Sequence, residues 1–115
     1  MKIDGYATGS HMRIGGKTYR QDLKIVKGEV KDHWWRKQGH RLDPRDIGDI
    51  LSARPQTLVI GTGYAGAMRV PSATLATLTD SGIRVIAEPT AQAVQTFNRL
   101  AAANDTVAGA FHLTC

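Results

Sequence analysis

The 115-residue sequence contains one cysteine, Cys115, and no long apolar segment. A single cysteine excludes an internal disulfide bond and any metal site built from several cysteines. No apolar run approaches the roughly 20 residues that a membrane-spanning helix needs. The N-terminal segment also lacks the hydrophobic core of a signal peptide. We therefore expect a protein without membrane insertion and with a cytoplasmic location.

The side chains that commonly carry catalysis or bind metals form no familiar pattern. No paired carboxylates stand out, and no serine has a matching histidine and acid. The four histidines, His11, His33, His40 and His112, show no metal-ligand spacing. His112 and Cys115 could form a thiol–imidazole pair only if the chain curls between them, because strand positions three apart point to opposite faces. The sequence therefore predicts no catalytic residue, no metal ligand and no cofactor.

Length and charge set further bounds. A chain of 115 residues suits one domain, predicted to span 1–115. The net charge is +5, and residues 1–45 hold 11 Lys and Arg against 5 Asp and Glu, whereas residues 46–115 hold 4 against 5. Such a basic first half could attract nucleic acid or an acidic partner. Because its basic residues are spread singly among acids, we favour solvated strand faces and do not expect nucleic acid as the partner.

The pattern of turns and apolar residues predicts β-hairpins followed by alternating helices and strands. Gly15-Gly16 and Lys27-Gly28 mark two tight turns in an antiparallel first third. Helices are predicted to begin at Asp43-Pro44, at Ser72 with Leu75 and Leu78 inward, and at Thr90. Buried strands are predicted at 57–60, 83–87 and 107–113, the last following a turn at Asn104-Asp105. This order predicts an α/β fold, a single three-layer domain with a central mixed, largely parallel sheet, helices on its faces and an N-terminal β-hairpin region.

The segment 61–66, Gly-Thr-Gly-Tyr-Ala-Gly, follows the apolar run 58–60 and has the spelling of a dinucleotide-binding turn. A second apolar run ends at Glu88, where a ribose-binding acid would lie. Pro71 argues against this interpretation, because proline cannot lie inside the helix that Gly66 should open. It also disfavours helical backbone at Val70. We predict a broad loop at the end of a strand, followed by a helix that begins at Ser72.

Loops at this edge of an open α/β sheet commonly form a ligand crevice, so a small ligand or anion remains an alternative. Glu88 is otherwise a solvated turn acid, and Thr90 is otherwise a helix cap. Asn98 is either solvent-facing or bonded to the glycine loop. The candidate ligand-binding residues are Gly61, Thr62, Gly63, Tyr64, Glu88, Thr90 and Asn98.

Two adjacent tryptophans, Trp34 and Trp35, precede a basic loop that includes Arg36 and Arg41. Neighbouring residues of a strand point to opposite faces, so we expect one tryptophan in the core and the other exposed. An exposed tryptophan with a basic rim could stack bases or bind a protein. A protein partner is favoured, because no further aromatic residues repeat along the strand. Trp35, Arg36 and Arg41 are the candidate partner-binding residues.

Read end to end, the sequence resembles the small Mth-type domain family. The match covers nearly all 115 residues, and it rests on the segments 15–19, 34–36, 58–63, 70–72, 82–83 and 109–115, together with Thr90, Ala93 and Asn98. The resemblance implies a three-layer α/β fold around a mixed sheet and a glycine loop that is a family trait. It implies no established reaction. The family includes a mitochondrial complex I assembly factor and an adipogenesis-associated protein, and the resemblance implies that its better-understood members act through protein contacts.

The leading hypothesis from the sequence is a non-enzymatic protein-interaction or assembly-type module. The alternative is a small-ligand-binding protein, or an unrecognised enzyme, that uses a crevice at the Gly61–Gly66 loop. Exposed strand edges in the first third make a homodimer as acceptable as a monomer.

Overall fold

A computed structural model describes residues 1–103 and 106–115 of the chain. Asn104 and Asp105, where the sequence predicts a turn, lie outside the described residues. The strands are β1 (Ile3–Ala7), β2 (His11–Ile14), β3 (Lys17–Tyr19), β4 (Leu23–Val26), β5 (Glu29–Lys31), β6 (Thr57–Thr62), β7 (Arg84–Glu88) and β8 (Val107–His112). The helices are α1 (Gly48–Ala53), α2 (Ser72–Asp80) and α3 (Thr90–Ala102), and a 3₁₀ turn at Pro44–Ile47 precedes α1.

The strands form two sheets. Strands β1, β2 and β3 make an antiparallel sheet of three, and the other five strands pair in the order β5-β4-β8-β6-β7. In the larger sheet β6 runs parallel to β7 and β8, whereas β4 runs antiparallel to β5 and β8. The predicted mixed sheet with an N-terminal hairpin region is therefore confirmed, and its parallel part consists of β6, β7 and β8.

Both predicted hairpin turns have left-handed backbone. The φ angles are +59° at Gly15 and +79° at Gly16, and +52° at Lys27 and +73° at Gly28. Two successive residues with positive φ give the type of turn whose twist matches that of the flanking strands. The turn residues therefore account for the pairing of β2 with β3 and of β4 with β5.

Two hydrophobic cores lie on opposite faces of the five-stranded sheet, which gives the predicted three layers. On one face, α3 and the small sheet cover the larger sheet, with Phe97 and Phe111 in edge-to-face contact at 5.8 Å. On the other face, α1 and α2 pack on Leu58 and Ile60. Alternation along each strand explains the division, because Val59 lies in the first core and its two neighbours lie in the second.

Helix α2 turns a different face to the sheet from the one that the sequence predicts. Leu78 is buried as expected, but Leu75 is exposed and Thr74 is buried in its place. The Thr74 hydroxyl donates a hydrogen bond to the Leu42 carbonyl oxygen at 2.8 Å, which satisfies its polar group inside the protein. A threonine that can bond the chain beside it therefore replaces the leucine that simple hydrophobicity would place inward.

Candidate functional site

The glycine loop, residues 61–66, leaves the end of β6 and leads to α2, as the sequence predicts. Its backbone packs against residues 114–115 of the same chain. The Tyr64 amide donates to the Thr114 carbonyl oxygen at 2.8 Å, and the Ala67 amide donates to the Cys115 carbonyl oxygen at 3.0 Å. At Gly63, where φ is +100°, an added Cβ would come within 2.5 Å of both carbonyl oxygens. Glycine is needed here because the chain's own backbone, rather than a pyrophosphate, approaches the loop.

Thr90 joins the glycine loop to β8. Its side chain is fully buried, and its hydroxyl oxygen accepts a hydrogen bond from the Gly63 amide at 2.9 Å and donates one to the His112 carbonyl oxygen at 2.6 Å. The interpretation of Thr90 as a simple helix cap is therefore wrong. Pro89 occupies the cap position of α3, and that helix has no side-chain cap hydrogen bond.

The other candidate ligand-binding residues divide into two groups. Thr62, Tyr64 and Glu88 lie at the same sheet edge as the loop, since Glu88 pairs with Gly61 in the ladder between β6 and β7. The half-buried Glu88 accepts a hydrogen bond from the Thr96 hydroxyl at 2.6 Å. Asn98 lies elsewhere: its amide group bonds both the nitrogen and the oxygen of the Ile3 backbone, at 2.8 and 2.9 Å. Asn98 therefore ties α3 to β1, and neither of its two expected environments is found.

The tryptophan pair is divided between core and surface. The Trp34 ring is buried, and its indole N–H donates to the Asp46 carbonyl oxygen at 2.9 Å, whereas Trp35 is 78% exposed. Both residues lie beyond the end of β5, in irregular chain. The Arg41 side chain is exposed, and its Nε pairs with Asp43 Oδ1 at 2.9 Å. Trp35 and Arg41 are thus both exposed, and irregular chain rather than the predicted strand carries Trp35.

Arg36 does not belong to that surface. Only 3% of its side chain is exposed, and its Nη2 lies 2.8 Å from Asp22 Oδ2. The same nitrogen donates to the Gly39 carbonyl oxygen at 2.5 Å, so the guanidinium closes the loop 36–39 from inside. A buried guanidinium needs a partner charge, and Asp22 supplies it. The inclusion of Arg36 among the partner-contacting residues is therefore corrected.

Asp22 is the centre of a buried polar network. Its Oδ2 lies 2.7 Å from His112 Nδ1 and 2.8 Å from Arg36, and its Oδ1 accepts the Leu113 amide at 2.8 Å. Burial raises the pKa of the Asp22 carboxyl, but the hydrogen bonds from His112, Leu113 and Arg36 outweigh it and hold that pKa below its ordinary value of 3.8. Asp22 is therefore ionised at neutral pH, and we assign the Nδ1 proton of His112 to the bond with it.

Beside this network lie two further side chains that can bind a metal or react. The Nε2 atom of His40 is 3.0 Å from Cys115 Sγ, and the His40 ring meets the His112 ring edge-on with centroids 5.4 Å apart. Ligand atoms of His40, His112 and Cys115 all lie within 4.8 Å of one another. The thiol–imidazole pair considered for His112 thus forms with His40 instead. It forms because the chain leaves the strand after His112 and follows the glycine loop.

Sequence reasoning missed two members of this cluster, Asp22 and His40. His40 is 75 positions from Cys115, and Asp22 is 90 positions from His112. No local spacing can reveal such pairs, so only the strand order, which sets β8 beside β4, brings them together.

Across the described residues, no helix combines the length and apolar character that crossing a membrane requires.

Comparison with known proteins agrees with this fold. Over residues 3–112 the sequence matches the family described as "Protein of unknown function (DUF498/DUF598)". The chain is 25% identical to a conserved hypothetical protein of Pyrococcus horikoshii, with a TM-score of 0.83 and all of both chains covered. It is 26% identical to a Bartonella henselae protein described as an outer membrane protein, with a TM-score of 0.83 and with 98% of this chain and 94% of that chain covered.

A third solved structure carries the name of the family that the sequence resembles. This Mth938-like domain of Bordetella pertussis is 20% identical to the chain, with a TM-score of 0.69 and with 97% of this chain and 85% of that chain covered. At this identity the likeness concerns the fold alone. Together with the match over residues 3–112, it confirms the resemblance noted in the sequence: the chain belongs to the DUF498/DUF598 family of proteins of unknown function.

Proposed function

We propose that the protein is a protein-interaction or assembly-type module that binds its partner through the surface around Trp35. The observation that carries this proposal is the 78% exposure of a tryptophan whose sequence neighbour, Trp34, is buried. Tryptophan is among the residues most enriched at the energetic centres of protein interfaces, and a large exposed ring gains much by being covered. Exposed basic residues, Lys37 and Arg41, flank the same loop. A partner with an apolar pocket and an acidic rim would complement this surface.

Hydrogen bonds from buried groups fix the loop that carries Trp35, so the loop need not become ordered when a partner binds. The Trp34 amide donates to the Asp22 carbonyl oxygen at 2.8 Å, and Arg36 bonds the Gly39 carbonyl oxygen from below. Anchors on both sides of Trp35 fix its backbone, so less conformational entropy is lost when a partner binds. Arg36 therefore enters the proposal as a positioning residue, and Trp35 and Arg41 enter it as contact residues. The cytoplasmic location and the choice between monomer and homodimer stay predictions from the sequence.

Affinity capture from the source cells, with the intact chain as bait, tests this proposal. Trp35→Ala should remove the specific partner, because truncating an interface tryptophan typically costs about 2 kcal/mol or more, which weakens binding at least tenfold. Leu75→Ala, which removes an exposed apolar side chain on α2, is the matched control and should recover the same partner as the wild type. Identical sets of captured proteins for wild type and Trp35→Ala would refute the proposal. Light scattering of both variants reports whether the partner is a second copy.

Small-ligand binding at the Gly61–Gly66 loop is the second proposal. It is favoured by the exposed Tyr64 and the half-buried Glu88 carboxylate at this sheet edge. A thermal-shift screen of nucleotides, carboxylic acids and sugar phosphates tests it. A compound present at 100 times its Kd should add about 2.7 kcal/mol to the free energy of unfolding. A melting temperature that no compound in the screen changes would refute it.

A further inference from the structure

We infer that His40, His112 and Cys115 form a binding site for Zn²⁺. The side chains offer two imidazoles and one thiol whose ligand atoms lie within 4.8 Å of one another. Three protein ligands leave the fourth position of a tetrahedral zinc ion for water or another ligand. The inference does not depend on the function proposed for the Trp35 surface.

The strongest observation in favour of a metal site is that the His112 ring is buried while one of its nitrogens lacks a hydrogen-bond partner. His112 is only 5% exposed, and its Nε2 has no hydrogen-bond partner among residues 1–103 and 106–115. Its other nitrogen lies 2.7 Å from the Asp22 carboxylate, which accepts the Nδ1 proton, so the lone pair of the neutral ring lies on Nε2. A buried lone pair without a donor is unfavourable, and a cation would satisfy it. The carboxylate–histidine–metal arrangement is the usual way in which proteins orient a ligating imidazole.

The distances between the ligand atoms suit a zinc ion after small movements. Zinc bonds of about 2.0 Å to nitrogen and 2.3 Å to sulfur place tetrahedral ligand atoms roughly 3.4–3.6 Å apart. His40 Nε2 and Cys115 Sγ lie 3.0 Å apart, and the widest separation in the cluster is 4.8 Å. The first separation is about 0.4–0.6 Å shorter than the tetrahedral value, and the second is about 1.2–1.4 Å longer. Rotation of the exposed His40 and the half-buried Cys115 can supply this change, while Asp22 holds His112 in place.

The donor set also selects the class of metal. Imidazole and thiolate together suit zinc and similar borderline-soft ions, whereas calcium and magnesium require oxygen ligands. Binding displaces the thiol proton of Cys115, so the site takes up the metal with release of protons. The charge of Arg36 beside His112 is balanced by its own ion pair with Asp22 at 2.8 Å. The bound metal would therefore face the Cys115 thiolate and two neutral imidazoles, and the Arg36 guanidinium nearby would not repel it as an unpaired charge.

The test uses the full reduced chain with Zn²⁺, measured by competition with a chromogenic chelator, and with Co²⁺ as a spectroscopic substitute. We expect one ion per chain, and a thiolate-to-cobalt charge-transfer band that is absent in Cys115→Ala. His40→Ala and Cys115→Ala should each weaken zinc binding at least tenfold. His33→Ala is the matched control, because His33 is an exposed histidine outside the cluster, and it should bind like the wild type.

His112 is buried, so its removal could unfold the protein, and Asp22→Asn gives the independent readout. This variant keeps all three ligands and should weaken zinc binding by about 10–100-fold, the range typical for the loss of a carboxylate behind a ligating histidine. Circular dichroism establishes that each variant is folded before titration. Failure of the wild-type chain to bind stoichiometric Zn²⁺, or binding that His40→Ala and Cys115→Ala both leave unchanged, would overturn the inference.

Discussion

Removing the Asp22 carboxylate should be among the most damaging single changes in this protein. Asp22→Ala deletes the acceptor of three hydrogen bonds, from Arg36 at 2.8 Å, from His112 at 2.7 Å and from the Leu113 amide at 2.8 Å. The guanidinium of Arg36, 3% exposed, would then stay buried without a counter-charge. The hydrogen bonds that its Nε and Nη2 donate to the Gly39 carbonyl oxygen cannot neutralise it.

The expected loss in the free energy of unfolding follows from the burial of the Asp22–Arg36 ion pair. Breaking a buried ion pair by removal of one partner typically costs about 3–5 kcal/mol, whereas an exposed pair contributes about 1 kcal/mol or less. The total free energy of unfolding of such a domain is about 5–15 kcal/mol, so this one change removes a large fraction of it. With an unfolding entropy of about 2.1 cal/mol/K per residue over 115 residues, the melting temperature should fall by about 12–20 °C.

Urea and thermal unfolding at neutral pH, followed by circular dichroism, measure this loss. Glu29→Ala is the matched control, since Glu29 pairs with Lys31 at 3.4 Å and both side chains are exposed, and it should cost about 1 kcal/mol or less. Adding Arg36→Met to Asp22→Ala should recover part of the stability, because it removes the unpaired charge. If Asp22→Ala and Glu29→Ala proved equally stable, or if Arg36→Met only added to the loss, the explanation from the buried ion pair would be refuted.

Three further outcomes are expected from the same unfolding measurements. The pKa of the Asp22 carboxyl lies below 3.8 in the folded protein, so its contribution is complete above that value and is lost as the pH falls through the folded-state pKa. The stability difference between wild type and Asp22→Asn should therefore shrink between about pH 5 and pH 2, and a difference that grew would contradict this. Gly66→Ala should cost about 1–2 kcal/mol, because the backbone at Gly66 is left-handed. Gly63→Ala should cost clearly more, because the Cβ at position 63 would also overlap neighbouring carbonyl groups. Equal losses for the two variants would argue against that overlap. Trp34→Ala should cost about 3–5 kcal/mol and Trp35→Ala about 0.5 kcal/mol or less, so similar losses would show that the burial of the two rings is misassigned.

Local features of the fold could be predicted because local residues determine them. The positive φ angles at Gly15-Gly16 and Lys27-Gly28 follow from residues that tolerate left-handed backbone. Pro71 places the start of α2 at Ser72, since proline can open a helix but cannot lie within it. Where burial depends on a distant partner, the sequence was insufficient. Thr74 displaces Leu75 from the core only because the Leu42 carbonyl oxygen lies beside it.

The cluster around Asp22 could not be predicted for the same reason. Its members lie on β8 and just after it, on the residues that precede β4, and in the loop 36–41, and they meet because β8 inserts between β4 and β6. The exposed neighbours of Arg36 in the sequence predict a surface position for it, yet the carboxylate of Asp22 pairs with its guanidinium and makes its burial tolerable. Pairing between distant strands is what a single sequence specifies least directly.

The glycine loop connects the proposed zinc site with the proposed small-ligand site, which lie at the same end of the sheet. The amides of Tyr64 in the loop and of Ala67 just after it donate hydrogen bonds to the carbonyl oxygens of Thr114 and Cys115, and these bonds fix the segment whose Cys115 thiol lies beside His40. A small anion that bound these amides would have to displace residues 114–115, and it would thereby separate two of the three proposed zinc ligands. Zinc and such an anion must then oppose one another's binding by the same factor, since coupling between two sites is reciprocal. The segment that resembles a cofactor motif therefore binds residues 114–115 through its backbone, and an anion that bound the Tyr64 and Ala67 amides would compete with those residues.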